Sequence, residues 1–107
     1  PVPFALTVDF GGPAMLAGAQ LIALDDDLRA ALADAPDGTG VLVLRVLPET
    51  PAADAGLRPG DVIVRAAGQP VAAPRALHLA LVAARESRTL ALRVERRGSG
   101  REVTLRW

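Results

Sequence analysis

Side chains capable of covalent or acid–base chemistry are few in this chain, and none has the neighbours that such chemistry requires. His78 is the single histidine. As a metal ligand it lacks a partner at ligand spacing, and as a general base it lacks a nucleophile. Ser87 and Ser99 fall in predicted turns with no motif around them. Asp25, Asp26 and Asp27 invite a calcium-loop reading, but the alternating ligands, mid-loop Gly and terminal Glu of such a loop are missing. The absence of Cys removes disulfides and thiolate metal sites. There is no carboxylate pair in a recognisable motif, no nucleophile elbow and no phosphate loop. These residues point away from catalysis and imply neither metal nor cofactor.

The chain that must position them has 107 residues, half of them apolar, which is enough for one domain with one modest core. Twelve basic and twelve acidic residues leave the formal charge at zero, and every basic residue is Arg. Phosphate binding relies on clustered excess positive charge, so a nucleic-acid partner is not expected from this balance. The apolar runs fall short of the roughly 18 residues a membrane span requires, and no leader pattern opens the sequence. A chain that starts at Pro1 reads as a fragment or processed form.

Several elements follow from periodicity. Val2, Phe4, Leu6, Val8 and Phe10 alternate, predicting a half-buried strand that Gly11-Gly12-Pro13 ends. Residues 16–24 read as a Gly-containing loop running into a strand. The three Asp suit the N-terminus of a short helix over residues 25–35, where carboxylates meet the partial positive charge. Residues 41–47 (VLVLRVL) read as a central, well-buried strand. Thr50 as cap, Pro51 at the first helical position and Gly56 at the exit write out a very short helix. A strand over residues 61–65, a tight turn at Gly68-Gln69 and a helix over residues 74–85 come next. Strands over residues 89–95 and 101–107 close the chain, joined by a hairpin turn at residues 96–100.

Residues 47–71, LPETPAADAGLRPGDVIVRAAGQPV, carry an identification. Small residues Ala52, Ala53 and Ala55 keep the short helix thin, Leu57 plugs the core, Gly60 allows a sharp reversal, and Asp61 can tie down N–H groups of that turn. In type and spacing this stretch strongly resembles the PDZ family signature in its bacterial, HtrA-like form. The resemblance covers residues 15–107. Residues 1–14 stand outside it as an extra N-terminal strand or linker. It implies an α+β fold: a PDZ-like, partly open β-barrel or sandwich of five to six strands capped by two to three short helices.

The resemblance also implies a mode of action. A peptide adds as a strand between strand 19–23 and helix 74–85, with its terminal carboxylate held by consecutive backbone N–H groups. By position that loop is Ala17, Gly18 and Ala19, the peptide-pairing strand Gln20, Leu21 and Ile22, and the helical wall Ala76, Ala80 and Ala83, with His78 at the rim or, if the placement slips by two residues, at the groove position where some members hold a His. Small Ala17 and Ala19, where the family usually has bulkier residues, imply a wider or shallower terminal pocket for a peptide with an apolar last residue. The expected function is a non-catalytic, peptide-binding module serving a larger, envelope protease-like protein, with a bacterial periplasmic setting suggested by the family alone. The alternative is an assembly module whose groove is closed or self-occupied. In either case Trp107, following Thr104-Leu105-Arg106, is a candidate to enter a neighbour's groove.

Overall fold

The computed structural model describes residues 14–24, 27 and 40–107. The expected strand over residues 2–10 lies outside the described residues. So does the helix over residues 25–35, apart from Asp27, which is helical and exposed. Among the described residues there are seven strands and two helices: β1 (Ala14–Leu16), β2 (Ala19–Ala23), β3 (Val41–Val46), α1 (Pro51–Asp54), β4 (Val62–Ala66), β5 (Gln69–Pro70), α2 (Pro74–Ala83), β6 (Thr89–Arg96) and β7 (Ser99–Arg106). The sheet runs β1-β2-β3-β4-β6-β7, with β5 paired to β4 off this path. Every pairing is antiparallel. The fold is the expected partly open α+β arrangement, not a closed barrel, with seven strands among the described residues where five to six were foreseen.

Three of the connections are the same object. Ala17-Gly18, Ala67-Gly68 and Arg97-Gly98 each place two consecutive residues at positive φ, 52° and 89°, 52° and 81°, 53° and 79°. That is the two-residue hairpin turn whose twist matches the strands it joins. Two expectations change as a result. The β6–β7 loop shrinks from residues 96–100 to Arg97-Gly98, and the turn placed at Gly68-Gln69 moves back by one residue.

Period-two patterning holds where the sequence shows it. On β6, Leu90, Leu92 and Val94 are buried while Thr89, Ala91 and Arg93 are exposed. The main core joins these to Leu21, Val43, Ile63, Leu77 and Leu105. Each such aliphatic side chain contributes about 1.5–3 kcal/mol on leaving water. A second cluster of Leu24, Leu42 and Val62 lies on the other face of the sheet. Burial on both faces explains the unbroken apolar start of β3, yet Leu44 and Arg45 are exposed, so only its first half is a central strand.

The signature folds as its residues dictate. Thr50 Oγ1 accepts from Ala53 N–H at 3.3 Å and donates to Leu47 O at 2.7 Å, capping α1. Ala52 is wholly buried. Gly56 leaves the helix at φ 89° and Gly60 turns at φ 96°. Asp61, 1% exposed, accepts from Arg58 N–H at 3.0 Å, as expected of a turn-binding carboxylate.

Candidate functional site

β2 is the strand to which the resemblance assigns an added peptide, so the direction of its backbone groups decides what is available. Leu24 N–H donates to Gly40 O, and Leu47 N–H donates to Gly18 O, both at 2.9 Å. Even-numbered residues along this stretch therefore turn their backbone groups toward β3, and Ala19, Leu21 and Ala23 turn theirs to the opposite edge. Of the expected peptide-pairing residues, Leu21 faces that edge, while Gln20 and Ile22 face β3 across the sheet. The edge is not bare. β1 pairs along it, with Leu16 opposite Ala19, Met15 opposite Gln20 and Ala14 opposite Leu21.

The expected carboxylate loop is thus the tip of a hairpin. Ala17 and Gly18 form the two turn residues, and Ala19 is the first residue of β2, its backbone facing Leu16. The tip is anchored to α1 because Ala52 N–H donates to Ala17 O at 2.9 Å. Gly18 has a structural requirement independent of any ligand. It sits at positive φ, and a Cβ there would run into the Thr50 side chain.

α2 packs beside the hairpin tip, and its two flanks face different depressions. Pro74 opens the helix as expected, and Leu77, 1% exposed, points to the core. At about 100° per residue, the residues to either side of Leu77 separate onto opposite flanks. His78, Leu81, Val82 and Arg85 turn toward the hairpin tip and, with Ala17, Pro51 and Trp107, line a depression of about 410 Å³. Ala76, Ala80 and Ala83 are not part of it. They line a separate depression of about 590 Å³ behind the helix, against β4, β5 and β6. The physical reason is that both flanks carry small or apolar residues at helical spacing, so the pattern alone does not say which one faces the turn. His78, placed at the rim, is exposed and belongs to the tip-facing flank.

The tip-facing depression is apolar at its base and bordered by His78 and Arg85. Arg85 Nη1 donates to Val82 O at 3.2 Å, which leaves most of its guanidinium donors to solvent. Trp107 is half-buried, packs against the core, and donates its backbone N–H to Arg88 O at 3.0 Å.

One interaction escaped the sequence reading. Arg96 grips Asp61 fork to fork, Nε to Oδ1 and Nη2 to Oδ2 both at 2.7 Å, and Nη2 also donates to Gly56 O at 2.8 Å. The hydrogen bond to Asp61 raises the arginine pKa above its ordinary value, against an opposing effect of burial. Thirty-five residues separate the pair, so no local pattern announces it.

Comparison with known proteins agrees with this fold. A family model described as PDZ domain matches residues 8–106. The magnetosome formation protease MamE of Paramagnetospirillum magneticum is 40% identical over 94 residues, covering 88% of this chain and 13% of that protein. A putative serine protease, HhoA of Synechocystis, is 58% identical over 36 residues, 34% of this chain and 9% of that protein. The chain therefore spans about an eighth of the length of the magnetosome protease. Among solved structures, the HtrA3 PDZ domain bound to a phage-derived ligand (FGRWV) superposes with a TM-score of 0.73 at 21% identity, over 90% of this chain and 86% of that one. The HtrA-type protease AlgW with decapeptide gives 0.72 at 26% identity, over 88% and 29%.

Proposed function

Given that this chain belongs to the PDZ family, a fold that acts as a non-catalytic recognition module, we propose that it captures an extended peptide by its free C-terminus on behalf of a larger HtrA-type protease. The observation that carries this reading is the depression of about 410 Å³ between Ala17 and the His78–Leu81–Val82–Arg85 flank of α2. An apolar last side chain fits among Ala17, Leu81 and Val82. The terminal carboxylate meets the Ala17 and Gly18 N–H groups, where a turn concentrates positive dipole, with Arg85 as the nearby cation. Upstream residues of the peptide pair with the outward backbone groups of Ala19, Leu21 and Ala23. The peptides held by HtrA3 and AlgW support peptide as the ligand class.

A second reading, a closed module used for assembly, draws on the β1 strand lying on the β2 edge. Entry of Trp107 into a neighbouring groove fits it less well, since Trp107 would first have to leave its own core contacts. Extending the chain past Trp107 with a few polar residues abolishes association if Trp107 is the occupant, and unchanged association removes that version.

The test is a random peptide library displayed with free C-termini, followed by amidation of the best binders. Micromolar binding, about −8 kcal/mol, that vanishes on amidation establishes C-terminal capture. Binding indifferent to amidation replaces it with capture of internal segments, and no binding favours the closed module.

A further inference from the structure

β1 stands where the peptide strand would stand. It pairs antiparallel with β2 through Ala19 and Leu21, two of the residues whose backbone groups face that edge. It also lies against α2, as a peptide in the groove would. Leu16 reaches the apolar interior beside Ala19, Leu21, Leu77 and Leu81, while Met15, the next side chain along, is half-exposed on the other face. Alternation in a strand demands this arrangement: one side chain in, the next out.

Resting on the peptide-capture reading above, we infer that β1 is an internal pseudo-ligand, and that a peptide with an apolar side chain binds by taking the place of Leu16 and the edge of β2 from it. Exchange is favoured over a permanent strand because, among the described residues, β1 holds β2 over three residue pairs while β3 holds it over five. An incoming peptide restores what β1 gives up, bond for bond and side chain for side chain. The apparent affinity is then reduced by the fraction of molecules in which β1 is in place.

Met15 and Gln20 are directly opposite and alternate with the hydrogen-bonded pairs, so their Cβ atoms lie close enough for a disulfide. The double variant Met15→Cys with Gln20→Cys introduces the only two cysteines of the chain and makes β1 lockable. The free-C-terminus library is selected against its oxidised and reduced forms, and amide exchange is measured on both. The inference expects peptide binding at least 10-fold weaker in the oxidised form and restored on reduction. It also expects Ala19 and Leu21 amides to exchange at least 10-fold faster once reduced, with Ile22, bonded to β3, unchanged. Equal binding in the two forms overturns the exchange and leaves peptide capture intact. Faster exchange with no binder for either form overturns peptide capture, and the exchange with it. Equal amide exchange shows that β1 does not open and overturns the inference whatever the library gives.

Discussion

The Asp61 carboxylate and the Arg96 guanidinium are joined by two parallel 2.7 Å hydrogen bonds, with the acid 1% exposed and the arginine side chain 15%. They tie the end of β6 to the loop leaving α1, because the same guanidinium also reaches Gly56 O. The signature Asp therefore holds its own turn and a distant strand together.

Breaking that pair strands a buried charge. Asp61→Asn is expected to lose about 2–4 kcal/mol, somewhat less than a fully enclosed pair because Arg96 is partly open to solvent. Arg96→Lys keeps the charge and loses the fork, at about 1 kcal/mol. Urea unfolding measures both, and a cost below about 0.5 kcal/mol for Asp61→Asn rejects the clamp. Because Asp61 raises the Arg96 pKa, the contribution is complete below the ordinary arginine range and is lost only as pH rises through the raised value. The difference between parent and Arg96→Gln should accordingly stay constant over roughly pH 6 to 9.

Gly18 is expected to tolerate no side chain. Gly18→Ala combines a left-handed backbone with contact against Thr50 and should cost about 1–3 kcal/mol. Thr50→Ala alone loses the α1 cap, about 1 kcal/mol. In the double variant part of the Gly18→Ala cost should disappear, since the obstructing atoms are gone. Strict additivity in the double-mutant cycle assigns the whole effect to backbone strain instead.

The two flanks of α2 can be separated at adjacent exposed positions. Val82→Glu should weaken peptide binding at least 10-fold, whereas Ala83→Glu should leave it within about twofold, a difference of roughly 1 kcal/mol or more. Both side chains are exposed, so neither change threatens the core. The opposite ranking in a peptide titration returns the groove to the Ala76–Ala80–Ala83 flank.

Arg85→Gln is expected to weaken peptides with a free terminus several-fold and to leave amidated ones unaffected. An equal loss for both makes Arg85 a packing residue, since its stem lies along apolar surface.

Core burial sets a further contrast within one helix. Leu77→Ala should cost about 3 kcal/mol, because a fully enclosed leucine leaves a cavity. Leu79→Ala, at a side chain 58% exposed, should stay within about 0.5 kcal/mol. Thermal melts of the two variants give the ordering directly.

Much of this protein was legible in its residues where the determining contacts are local. The cap at Thr50, Pro51 at the helix start, the Gly56 exit and the Asp61 bond to Arg58 N–H all act within about three or four residues. Alternation on β6 likewise reads straight off Leu90, Leu92 and Val94. A signal for the hairpins was also present, as Ala-Gly or Arg-Gly between strands. It is weaker than Asn-Gly because Ala and Arg favour positive φ far less.

What tertiary structure alone decided involves choices that local pattern leaves equal. A ten-residue helix rich in Ala offers two flanks of similar spacing, and only packing of Leu77 against the sheet selects the one that faces Ala17. Asp61 finds Arg96 across 35 residues, a contact that exists once β4 and β6 are paired. β2 has backbone groups for a neighbour on its outer edge, and nothing in their chemistry distinguishes β1 from a peptide. The sequence by itself determined the family and the scaffold, since those rest on turns and caps closed within a few residues. What lies on the outer edge of β2, and which side of α2 faces the hairpin tip, depended on hydrogen bonds and packing between elements far apart in the chain.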